Sequence, residues 1–238
     1  MTATAASSIR PFSTARFEHP PKVIAIGDSL VYGYGDPVGG GWVERLRRVW
    51  MEAQGPVLYN LGIRGDRVAQ VAERLEQEFR YRGEIRNQVP DQLILSVGVN
   101  DSPRLGRPEG RNVTDLAIFS EQVETLLTTA QALCPVVVVG MVPVNEAKMP
   151  FFDCFYFNQA DQYRYKEVMK QACQARQIPY LDIFERWLER GPAWIEAHLM
   201  DDGIHPNVAG YKALLDEVLH WLPPVKSLKS SALPQRLH

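Results

Sequence analysis

The feature that most constrains this chain is a series of short apolar runs without polar alternation. They are VIAI at 23–26, VLYN at 57–60, QLILSV at 92–97, PVVVVG at 135–140 and PYLDI at 179–183. A strand with one wet face alternates apolar and polar residues, whereas a strand buried on both faces does not. Between the runs lie stretches of helical length and pattern, near 41–54, 66–81, 114–133, 158–177 and 207–222. In the second, Val68, Val71, Ala72, Leu75 and Phe79 fall on one face. Strands that alternate with helices build a parallel sheet covered on both sides. The expected fold class is therefore α/β, with five parallel strands and helices on both faces. In the common order 2-1-3-4-5, strand 1 lies between strands 2 and 3.

The length, 238 residues, suits one such domain. Residues 1–21 read as a polar, Pro-punctuated arm, 22–222 as the domain and 223–238 as a loose basic tail. A formal net charge of -2 gives no electrostatic footprint for nucleic acid or an anionic membrane. The longest apolar run, PVVVVGMVPV, falls short of the ~20 residues of a membrane span. The N-terminal stretch lacks the apolar region of a signal peptide. Three cysteines, with no C-x-x-C pair, fit a reducing cytosol better than a disulfide framework or a zinc site. The expected location is cytoplasmic, and the oligomeric state is unreadable.

Ligands of open parallel sheets bind at the carboxyl ends of the strands. The first strand runs into IGDSLVYGYGDPVGGG, which invites a nucleotide reading. That reading fails: Val38 stands where G-x-G-x-x-G needs its third glycine, and no Gly-Lys-Ser/Thr occurs. The glycines are then expected to form a flexible loop. An α/β-hydrolase elbow also fails, because Val31 replaces the second glycine of G-x-S-x-G. Ser29 alone is as well explained by a helix cap or a turn. Gly62 in YNLGIRGDR reads alone as a turn glycine of positive φ, and Asn100 in SVGVNDS as an Asx turn or cap.

Together they say more. Strand order 2-1-3-4-5 puts Ser29, Gly62 and Asn100 at the ends of three adjacent strands. A hydroxyl flanked by a backbone N–H and a side-chain amide has the makings of a nucleophile beside an oxyanion hole. Such a serine needs a base. Of the five histidines, His19 and His238 lie in the terminal stretches and His220 late in the last helix. His205, in MDDGIHPNVAGY, follows strand 5 at the same sheet edge, with Pro206 opening the next helix. Asp202, three residues earlier, can accept its Nδ1–H. Asp201 is the fallback acid and His198 the fallback base. Asp28 and Asp101 read as loop-shaping acceptors.

These blocks, GDSL, NLG, GVND and DGIH, resemble those of the SGNH hydrolase superfamily, the GDSL esterases and lipases. They occur in the family's order across residues 27–205. The resemblance implies a three-layer α/β/α flavodoxin-like fold, no metal and no cofactor. It implies Ser29 as nucleophile, Asp202 and His205 as acid and base, and Ser29, Gly62 and Asn100 as oxyanion hole. The implied reaction is acyl-ester hydrolysis, or sometimes acyl transfer, and the expected substrate is a small-molecule ester of short or medium acyl chain. An acyltransferase with the same triad and a catalytically silent binding module are the alternatives. Phe151, Phe152, Phe155 and Tyr156, followed by Phe157, either wall an acyl pocket or anchor their loop in the core. Arg64 and Arg67 either meet an anionic substrate group or pair with Asp66 or Asp36.

Overall fold

The computed structural model describes residues 20–82 and 89–223. The expected arm, up to residue 19, and the tail, from residue 224, lie outside the described residues. Five parallel strands, β1 (Lys22–Gly27), β2 (Val57–Gly62), β3 (Gln92–Ser96), β4 (Val136–Val139) and β5 (Tyr180–Leu181), form the sheet in the order β2-β1-β3-β4-β5. This is the expected order. Every residue of β1, β3 and β4 is buried, as unalternated strands must be.

Five long helices occupy the predicted stretches: α2 (Gly41–Glu52), α3 (Val68–Tyr81), α4 (Leu116–Leu133), α5 (Gln159–Ala175) and α8 (Val208–Trp221). Helices α3, α4 and α5 pack side by side on one face, and α2 packs on α8 on the other. The starts are set by caps. Asp115, Asn158 and Asn207 each accept a backbone N–H from the first turn of α4, α5 and α8. Trp42 and Trp50 of α2, Phe119 of α4, Tyr165 of α5 and Tyr211 of α8 fill the layers between helices and sheet.

Three helices were not expected: α1 (Ser29–Tyr32), α6 (Ile183–Leu188) and α7 (Pro192–His198). The predicted last strand is shorter than the run PYLDI because Asp182 caps α6 and Ile183 is already helical. Pro206 does not open α8: it precedes the cap Asn207 and bridges back to Leu199. A two-stranded ribbon, Arg104–Leu105 against Phe155–Tyr156, lies beside the main sheet. Among the described residues no helix is long and apolar enough to cross a membrane.

The glycine-rich loop after β1 is not held loosely. The buried Asp36 carboxylate accepts the N–H groups of Val38, Gly39 and Gly41 and pairs with Arg45 at 2.7 Å. Burial opposes this charge, but Arg45 and the Gly39 and Gly41 amides outweigh it and hold the carboxyl below its ordinary range. Glycine is needed for close packing: a Cβ on Gly41 would lie 2.3 Å from the Gly33 Cα.

Candidate active site

Ser29 stands where β1 ends. Gly27 pairs with Gly62 of β2 on one side and Ser96 of β3 on the other, so three strand ends lie in register. Asp28 caps α1 by accepting the Leu30 N–H at 2.9 Å, and Ser29 is the first helical residue. Its N–H therefore has no acceptor within the helix. Ser29 itself is 3% exposed.

The loop between α7 and α8 brings the acid and the imidazole to this point. Gly203 turns it with φ 71°. Its two ends are tied by Met200 N–H to His205 O and Asn207 N–H to His198 O. The Asp202 carboxylate accepts the N–H groups of Ile204 and His205 through Oδ1, and meets His205 Nδ1 with Oδ2 at 2.7 Å. His205 Nε2 lies 2.8 Å from Ser29 Oγ. Burial raises the Asp202 pKa, but the His205 ring and the two amides prevail and set it below the ordinary value. The fallbacks stand apart. Asp201 is exposed, and His198 stacks on Trp194 with Nδ1 against the Trp194 carbonyl.

Gly62 lies beside Ser29, for a reason other than the expected one. Its φ is not positive; instead a Cβ would lie 2.1 Å from the Tyr32 nitrogen, so only glycine lets α1 rest on the end of β2. Its single N–H donates to Asn60 Oδ1 at 3.0 Å. Asn100 sits in the 3-10 turn after β3 and donates one Nδ2 hydrogen to Asp66 O at 2.9 Å, leaving the second. The next residue, Asp101, is buried and accepts Val68 N–H and Thr114 Oγ1–H. It clips the Asn100 turn to the start of α3, the loop-shaping role read from sequence. Burial pushes its pKa up to about 6 despite those bonds. Asp28 is pushed further, to about 7, by complete burial that the Leu30 N–H only partly offsets; its Oδ2 has no partner.

Of the four aromatics expected at the pocket, Phe151 reaches the site, its ring 6.2 Å from that of His205. Phe152 packs against Phe151 with its ring tilted by 41° and the centroids 4.0 Å apart, and is 71% exposed. Phe155 and Tyr156 are held in the ribbon, Phe155 packing against the core. Tyr34, from the glycine-rich loop, meets the His205 ring edge-on at 4.7 Å. In sequence Tyr34, like Tyr32 and Trp42 of the same stretch, reads either as a wall of the pocket or as an anchor of its loop, because turn residues carry no period that picks a face. The two arginines do not pair as expected: Asp66 is taken by Arg74 and Asp36 by Arg45. Arg67 bonds Gln70, and Arg64 lies over the Tyr34 ring. An open cleft of about 880 Å³ runs along the outer edge of β2, lined by residues such as Pro20, Met51 and Tyr59, and includes none of the Ser29 cluster.

Comparison with known proteins bears on this cluster. A model of the GDSL-like lipase/acylhydrolase family matches residues 25–213, from β1 into α8. The chain belongs to this family, and is with it a hydrolase acting on ester bonds. An arylesterase of Vibrio mimicus is 25% identical over 188 residues, 78% of this chain and 80% of that protein. The crystal structure of a lipase/acylhydrolase from Enterococcus faecalis superposes with TM-score 0.66 at 21% identity, covering 91% of this chain and all of that one, 100%. The acetylxylan esterase Axe2 of Geobacillus stearothermophilus gives TM-score 0.64 at 18% identity, over 84% and 93%. At these identities the two structures speak for the fold.

Proposed function

We propose that this GDSL-family hydrolase is a serine esterase that cleaves a carboxylic ester of short or medium acyl chain through an acyl-enzyme on Ser29. One observation carries the reading: His205 stands between Ser29 Oγ and the Asp202 carboxylate, at 2.8 and 2.7 Å. His205 Nε2 takes the Ser29 proton as Oγ bonds to the ester carbonyl carbon. The carbonyl oxygen becomes an oxyanion facing the Ser29 N–H and the second Nδ2 hydrogen of Asn100. The Gly62 N–H joins them by exchanging the neutral Asn60 oxygen for the charged one, a stronger acceptor. The C–O bond to the alcohol then breaks, and His205 returns its proton to the leaving oxygen. Water attacks the acyl-enzyme by the same route, giving the carboxylic acid and free Ser29. Asp202 keeps the proton on Nδ1, so that Nε2 is the base. Asp28 and Asp101 shape the loops and do not touch the reacting atoms.

The test is turnover of p-nitrophenyl esters from acetate to palmitate by wild type and Ser29→Ala. Turnover by the wild type and its loss in Ser29→Ala, with unchanged far-UV circular dichroism, is the expected result. The chain-length profile then sizes the pocket. A variant that keeps wild-type turnover would sink Ser29 as nucleophile. If neither protein turns over, a fluorophosphonate that also fails to label Ser29 would move the chain to a silent binding module.

A further inference from the structure

Arg64 is a cation left over at the mouth of the site. Asp66 and Asp36, the nearest acids in sequence, are engaged by Arg74 and Arg45. Among the described residues Arg64 has no ion pair and no hydrogen-bond acceptor, and its side chain is solvent-exposed. It is nevertheless placed. Its guanidinium carbon lies 3.9 Å from the centroid of the Tyr34 ring. That ring meets the His205 imidazole at 4.7 Å, so the guanidinium stands from the imidazole no further than these two steps laid end to end. The platform is fixed. Tyr34 N–H donates to Ser29 O at 3.1 Å, and Tyr34 O accepts the hydroxyl of the buried Tyr211 at 2.9 Å. A guanidinium stacked on an aromatic face keeps its N–H edge free for a planar or tetrahedral oxyanion.

We propose that Arg64 is a specificity-determining residue, which binds a carboxylate or phosphate carried by the substrate a few bonds from the scissile carbonyl. This rests on the esterase reading above and names the substrate class of that same site: esters with an anionic group. The chain's formal net charge of -2 offers such substrates no general attraction, so the preference is local to this residue.

The full chain, Arg64→Gln and Arg64→Lys are compared on matched pairs of esters. Mono-p-nitrophenyl succinate against p-nitrophenyl butyrate places a carboxylate on the acyl side. 4-Acetoxyphenyl phosphate against phenyl acetate places a phosphate on the leaving side. Arg64→Gln is expected to lower kcat/KM for one anionic ester roughly three- to ten-fold more than for its neutral match, mainly through KM. Arg64→Lys should recover part of the gap, and salt near 0.5 M, about a 4 Å screening length, should narrow it. Equal factors for both members of both pairs would overturn the inference while leaving the esterase intact. No turnover of any of the four esters by the wild type, with no fluorophosphonate labelling of Ser29, would bring down the esterase reading, and this inference with it.

Discussion

At the scale of single residues, the orientation of His205 depends on one oxygen. Asp202 Oδ2 faces His205 Nδ1 at 2.7 Å, while Oδ1 is occupied by two backbone amides. Asp202→Asn keeps Oδ1 on those amides and turns an N–H₂ toward Nδ1. The imidazole then carries its proton on Nε2, where it cannot accept one from Ser29. The expected loss in kcat is on the order of 10³-fold with an unchanged far-UV circular dichroism spectrum, and a loss below ten-fold in steady-state assays would refute the orienting role. Asn100→Ala removes a donor that Asp66 O already holds in place. It should lower kcat by on the order of 10²-fold and leave KM nearly constant; a fall seen only in KM would make Asn100 a substrate contact instead. The positions of Asp202 and His205 were legible because the chain offers few histidines and the Asp-x-x-His spacing allows only a local turn. The bond from Gly62 N–H to Asn60 was not legible, since it depends on a side-chain rotamer that spacing does not specify. Nor was the stacking of Arg64 on Tyr34, which brings together two loops distant in sequence.

Between elements, the contact that sets the nucleophile is that of α1 with the end of β2. A methyl at position 62 would lie 2.1 Å from the Tyr32 nitrogen and 2.7 Å from the Val31 carbonyl carbon. These are backbone atoms and cannot rotate away, so Gly62→Ala must lift α1, and Ser29 with it, off the sheet. We expect a loss of about 1–3 kcal/mol in urea unfolding together with reduced turnover. A variant with the wild-type midpoint would show that α1 does not need this approach. The five long helices were legible from their apolar faces and the strands from their unbroken runs. Helices of four, six and seven residues were missed, because fewer than two turns give no period to detect. Their caps, Asp28, Asp182 and the Gly191-Pro192 step, were local signals of helix starts, but each also fits a turn. The role of Gly62 was missed for a related reason: a glycine required by a neighbour's approach looks in sequence like one required by φ.

For the whole molecule, the buried and half-buried carboxyls divide into two sets with opposite effects on stability against pH. Asp36, Asp161, Asp182, Asp202 and Glu217 have lowered folded-state pKa values: burial opposes their charge, but their hydrogen-bond and ion-pair partners outweigh it. Their stabilisation is present above the unfolded pKa and is lost as pH falls through the folded one. Asp28 and Asp101 are raised, to about 7 and about 6, chiefly by burial. Between the ordinary value of 3.8 and these, the folded state binds more protons than the unfolded chain, so stability falls as pH rises through that window. The fold should therefore be most stable near pH 4–5, below the usual optimum of about 5–8. Asp28 is the larger contributor and has the cleaner test, because its Oδ2 has no partner to lose. Asp28→Asn preserves the acceptor for the Leu30 N–H and removes the charge. Unfolding free energies from urea titrations at pH 5 and pH 8 should differ by on the order of 2 kcal/mol less in Asp28→Asn than in the wild type. Parallel curves for the two proteins would show that Asp28 keeps an ordinary pKa, and that the turn holding Ser29 carries a buried carboxylate at neutral pH.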